Sequence, residues 1–92
     1  MFYVYLMTNF ENKVLYTGVS NDLKRRANDH RLGLINGFTS RYHVRKLVYY
    51  EMFDTAYDAI SREKQIKAGS RQKKVELINA FNQNWVDLYE QI

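Results

Sequence analysis

The 92-residue chain has no cysteine, no proline, only four glycines, and no apolar run longer than a few residues. Without cysteine there can be no disulfide framework, no thiolate metal site and no cysteine nucleophile. Nothing in the composition therefore asks for an oxidising compartment, and a reduced, cytoplasmic setting is expected. A bilayer demands ~20 consecutive apolar residues, so no membrane-spanning helix is expected. The first ten residues, MFYVYLMTNF, have neither a basic start nor a small-residue cleavage site. At this length a second domain does not fit, and residues 1–92 read as one small domain burying about 60–65% of its unfolded surface. An apolar fraction of 46%, with 15% aromatics, argues against disorder.

What the chain does have is an uneven positive charge. Fourteen Lys and Arg against ten Asp and Glu leave a net +4. Lys24, Arg25, Arg26 and Arg31 stand against Asp29 alone, and Arg41, Arg45 and Lys46 follow. Arg62, Lys64, Lys67, Arg71, Lys73 and Lys74 are opposed only by Glu63, whereas the segment from Val75 onward carries Glu76, Asp87 and Glu90 and no base. A basic middle with an acidic end suits a polyanion, because each phosphate contact releases condensed counterions. Lys24, Arg25, Arg41, Lys64, Lys67, Arg71 and Lys73 are the candidate phosphate-contacting residues. A solvated helix face is the plainer account of the same charges, so charge needs a second witness.

Local patterning supplies the elements. Phe2 to Thr8 alternates as a strand, Asn9 to Asn12 reads as a turn, and Lys13 to Val19 returns as a second strand ended by Gly18. A four-residue loop would set Met7 opposite Val14 and Tyr5 opposite Tyr16. Ser20 or Asn21 can cap a helix with Asp22 in its first turn, running to about Leu32 and stopped by Gly33. Its stripe is Leu23, Ala27, His30 and Leu34, with Arg26 one turn before His30. A loop containing Gly37 leads to a third strand, Lys46 to Phe53. Thr55 then caps a helix that Gly69 stops, and Ser70 caps another through Phe81. Trp85, Leu88 and Tyr89 close the core, to which Met7, Met52 and Phe81 are also assigned. The order is β-β-α-β-α-α.

One position breaks the pattern. The helix after Thr55 has the stripe Ala56, Ala59, Ile60, Glu63, Ile66, which sets a carboxylate in mid-stripe, where charge is rare unless it is paired or bound to metal. Its plain alternative is a salt bridge to Lys67. With Tyr5, Tyr16, Arg26 and His30 it completes a set suited to phosphodiester hydrolysis. A divalent ion on Glu63 would polarise a phosphoryl oxygen, Arg26 would neutralise charge developing at phosphorus, and a tyrosine or His30 could relay the proton of the attacking water.

These residues fall in motifs that resemble a known family. Tyr3-Val4-Tyr5 and Tyr16-Thr17-Gly18, with eleven residues from Tyr5 to Tyr16, are followed by Arg26 and His30 in GVSNDLKRRANDH and by Glu63 in AISREKQIK. The chain is similar to GIY-YIG nuclease domains, above all to small stand-alone bacterial members sharing the LVYYE strand, the REKQIK helix and an ending like NPEWxDLY. It departs from them in Tyr3, which replaces the first motif glycine, and in Thr17, which replaces isoleucine.

The resemblance implies a small α/β (α+β) domain, a three-stranded antiparallel sheet flanked by helices. It also implies an endonuclease or nickase acting on DNA, with RNA not excluded, and one divalent ion, Mg2+ or Mn2+, held by Glu63 alone among protein side chains. Tyr5, Tyr16, Arg26 and His30 would complete the catalytic set, with either tyrosine activating the water. Asn82 matches the position of a late asparagine that assists in some members. The rival readings are a nucleic-acid-binding module that keeps the fold without cutting, and a protein-interaction domain using the Tyr49/Tyr50 strand.

Overall fold

The structure is a computed structural model that describes residues 1–92. Strand β1 (Phe2–Thr8) lies between β2 (Leu15–Ser20) and β3 (Lys46–Phe53) in a sheet of order β2-β1-β3, antiparallel on both sides. The hairpin register differs from the four-residue-loop expectation. Tyr5 is opposite Gly18 and Met7 opposite Tyr16, because the connection runs from Asn9 through Val14. The Asn9 side chain is the cause: its Oδ1 accepts from the amides of Lys13 (2.8 Å) and Val14 (3.2 Å), while Val14 O accepts from the Thr8 hydroxyl. The slip is by two residues, so every side chain keeps its face and Tyr5 and Tyr16 remain diagonal neighbours. Gly18 lies inside β2 and does not end it.

Helix α1 (Leu23–Arg31) is capped by Asp22, whose carboxylate accepts from Arg25 N, whereas Ser20 Oγ accepts from Asp22 N one step earlier. Gly33, at φ +70, turns the chain out of the helix after Leu32. A short helix α2 (Phe38–Arg41) occupies the expected loop; four residues are too few to show a period. Helices α3 (Ala56–Ala68) and α4 (Arg71–Phe81) have the expected caps, Thr55 and Ser70, each accepting from a backbone amide three residues on.

Alternation along β1 gives the sheet two apolar faces. Val4 and Leu6 pack with Val48, Ala59, Ile66 and Ile78 under α3 and α4. Tyr5 and Met7 pack with Leu23, Ala27, Val44, Leu47 and Leu88 under α1 and the C-terminal segment. Burial of an Ile66 or a Leu47 is worth roughly 1.5–3 kcal/mol. A register shift between Leu6 and Met7 brings Tyr49 and then Leu47 opposite them, so Val48 joins Tyr49 on the α3 side.

Three residues assigned to the core lie outside it. Met52 and Leu34 are exposed, and Phe81 is half open at the end of α4, its ring edge-on to Tyr49 and Tyr50. Trp85 is half-buried, with its indole N–H donated to Asn79. No helix is long and apolar enough to cross a membrane.

Candidate active site

Strand β1 carries Tyr5 inward on the α1 side, where its ring lies across Gly18 of β2. A Cβ built on Gly18 would sit 2.4 Å from both Cζ and Oη of Tyr5, so the missing side chain is what gives the phenol its seat. One turn beyond Arg26, His30 faces the same sheet and is 2% exposed. Its Nε2 is 3.1 Å from the Tyr5 hydroxyl, and its Nδ1 has no partner. Tyr16, two residues before Gly18, is half-buried, its ring centroid 6.3 Å from that of Tyr5 and 5.4 Å from that of His30.

Burial, reinforced by Tyr16 and Glu63 and opposed by Arg26, raises the Tyr5 phenol well above its usual range, so Tyr5 is a neutral hydroxyl at neutral pH. Burial first, and then the Arg26 charge, push His30 down to about 4 against the opposing pull of Asp29, so its ring is neutral. Tyr5 thus feels Tyr16, Arg26 and Glu63 together, although they come from β2, α1 and α3. Of the five residues singled out in the sequence, Tyr5, Tyr16 and His30 pack together, whereas Arg26 and Glu63 are linked to them only through the action of their charges on the Tyr5 phenol. Arg26 is exposed; Glu63 keeps 14% of its side chain exposed and pairs with Lys67 at 3.0 Å.

Nowhere on the chain do three His, Cys, Asp or Glu side chains gather to cage a metal. Glu63 is one carboxylate whose ion-pair partner is a mostly exposed lysine that a cation can displace. A single carboxylate of this kind would suit only a hard divalent ion that keeps most of its water.

Other predicted residues lie elsewhere or are engaged. Asn82 is committed to backbone: its amide donates to Val48 O and Val86 O and its carbonyl accepts from Val86 N, tying the C-terminal segment to β3. Lys24 reaches the C-terminal segment too, with Nζ 3.0 Å from Tyr89 O and 3.8 Å from the ring centre. Arg71 donates to Asn12 O, and Lys67 pairs with Glu63. Arg25, Arg41, Lys64 and Lys73 remain on the surface.

The largest cavity, about 430 Å³ between α3 and α4, is lined by Arg62, Gln65, Lys73, Lys74 and Leu77 among others and is separate from the tyrosine cluster. Sequence reasoning missed two features: Gly18 as the seat of Tyr5, and an ion-pair network in which Arg62 binds Glu51 and Glu51 accepts from Tyr49. The spacing of Glu51 and Arg62 across a strand and a helix gave no local signal for the pair.

The chain is thus a small α+β domain in which an antiparallel sheet carrying the two motif tyrosines lies between the Arg–His helix and the glutamate helix. The family model described as the GIY-YIG catalytic domain matches residues 1–76, and the chain belongs to that family. Membership implies nuclease activity. A UPF0213 protein of Staphylococcus saprophyticus is 40% identical over 77 residues, covering 84% of this chain and 93% of that protein. One from Haloquadratum walsbyi is 39% identical over 75 residues, covering 82% and 83%. The solution NMR structure of a UPF0213 protein from Bacillus halodurans has 30% identity and a TM-score of 0.54, covering 87% of this chain and 85% of that one.

Proposed function

We propose that this chain is a divalent-metal-dependent endonuclease or nickase that hydrolyses phosphodiester bonds of DNA at the Tyr5, Tyr16, Arg26, His30 and Glu63 cluster. The observation that supports the reading is the packed Tyr5, Tyr16 and His30 trio, on whose inner phenol the charges of Arg26 and Glu63 act. Glu63 would hold the ion, Mg2+ or Mn2+, which when bound polarises a phosphoryl oxygen and stabilises the leaving oxygen.

The chain's own groups divide the remaining work. Arg26, exposed beside the cluster, neutralises the charge that builds on the phosphoryl oxygens in the transition state. Tyr16, the more open of the two tyrosines, faces the attacking water with its hydroxyl. Tyr5 and His30, both neutral, form a hydrogen-bonded pair behind it that fixes the Tyr16 side of the site. Arg25, Lys64 and Lys73 contribute positive field for the backbone on either side.

The test is incubation of the wild-type chain with branched and linear DNA in Mg2+, Mn2+ or a chelator, beside Arg26→Ala. Cutting that requires the divalent ion and is lost in Arg26→Ala is expected. No cutting under any condition would overturn the reading.

A further inference from the structure

We propose that Phe38 and Tyr42, with Arg41 beside them, form a stacking subsite for an unstacked nucleobase next to the cluster. The inference rests on the nucleic-acid reading above and deepens it by naming what part of the substrate the chain grips. Helix α2 is a single turn launched from Gly37, whose φ of +92 is a conformation that suits glycine. It sets Phe38 and Tyr42 four residues apart on one side, ring centres 4.9 Å from each other. Both rings stay open, 47% and 42% exposed, while Thr39 between them is buried and anchors the turn.

The pair is not an isolated greasy spot. Phe38 stacks toward Tyr16 at 6.5 Å and 26°, and Tyr16 in turn packs on His30 and Tyr5. A file of aromatic rings therefore leads from the buried phenol to the surface, ending where the Arg41 guanidinium lies 5.5 Å over the Tyr42 ring. Exposed rings joined to a hydrolytic cluster, with a guanidinium at their end, match a flat, electron-rich base carried on a phosphate. The rings offer the stacking face, and Arg41 adds a cation–π plane and a charge for the neighbouring phosphate. A paired, stacked base in a duplex cannot reach such a platform. The occupant is a base from a single strand or one turned out of a helix.

The experiment measures binding by fluorescence anisotropy in chelator, so that cleavage does not intervene. It uses a labelled single-stranded oligonucleotide, the same strand with abasic positions, and a duplex. Wild type is expected to bind the base-bearing strand and to lose affinity when the bases are removed. Phe38→Ala/Tyr42→Ala should weaken binding to the base-bearing strand by about tenfold or more, and Phe38→Tyr/Tyr42→Phe should retain it. On the abasic strand the variants and wild type should agree. A matching loss on the duplex would assign the base to one turned out of a helix, and its absence would assign it to a single strand.

Equal wild-type affinity for abasic and base-bearing strands would overturn the subsite, whether or not the alanine variant folds. So would equal binding of the base-bearing strand by wild type and a folded alanine variant. If wild type binds no nucleic acid either in chelator or with Ca2+ in place of the catalytic ion, the proposed function itself falls and the subsite with it.

Discussion

The Tyr5 hydroxyl and the Nε2 of His30 lie 3.1 Å apart, 25 residues distant in sequence and each 2% exposed. The bond joins β1 to α1 through two neutral groups, and the other ring nitrogen has no partner. Tyr5→Phe keeps the ring over Gly18 but strands the imidazole with no hydrogen bond at all. A buried polar group left unsatisfied costs about 1–3 kcal/mol. Urea unfolding of Tyr5→Phe should show that loss at unchanged slope.

His30 also sets a pH dependence. Folding lowers its pKa from the ordinary 6.5 to about 4, so between those values the unfolded chain takes up a proton that the folded chain refuses. Stability should therefore fall on acidification from pH 6.5 toward 4, with no His30 contribution above about pH 7. The lost amount is up to roughly 3 kcal/mol. Denaturant midpoints across this range should drop less steeply for His30→Gln than for wild type. Parallel profiles would show that His30 is not buried as a neutral ring.

Gly18→Ala places a methyl group 2.4 Å from the Tyr5 ring, which must leave its seat. Overpacking of this kind costs about 1–3 kcal/mol, and here it also moves a member of the cluster. Stability and cleavage should both fall. Tyr5→Val should restore part of the stability of Gly18→Ala, a coupling measured by a double-mutant cycle. Purely additive effects would mean that the two residues do not share this space.

Arg62 donates from Nε and Nη2 to the Glu51 carboxylate, with Nη2 3.0 Å from Oε2, and Glu51 also accepts from Tyr49, whose pKa burial and this carboxylate push up to about 12. The network holds α3 to β3. Arg62→Ala removes its only cation and should cost about 1–3 kcal/mol in thermal or urea unfolding. Arg62→Lys should recover little, since a point charge cannot reproduce a multi-pronged guanidinium contact.

What was legible in the sequence was the chemistry that acts locally. Thr55, Gly69 and Ser70 bound α3 and α4 through caps that involve only near neighbours, and β3 was readable from its own β-forming run. The motif spacing singles out Tyr5, Tyr16 and His30, which do pack together, and the carboxylate in the α3 stripe singles out Glu63, which is mostly buried and paired with Lys67. The hairpin register was not readable because the Asn9 side chain, not the loop's composition, fixes where pairing begins. Met52 and Phe81 are apolar residues whose positions at the margins of the packing no periodicity reveals. Motif position alone singles out Asn82, whereas its hydrogen bonds serve the backbone of β3 and the C-terminal segment.

In the proposed reaction the Glu63 carboxylate would be the sole protein anchor of the ion. The most direct test is the single-turnover cleavage rate of DNA across a Mg2+ titration, for wild type and Glu63→Gln. Wild type is expected to show saturable, ion-dependent cutting and Glu63→Gln a rate about a hundredfold or more lower, with its unfolding midpoint and DNA affinity retained. Cleavage by Glu63→Gln at the wild-type rate would contradict that anchoring role.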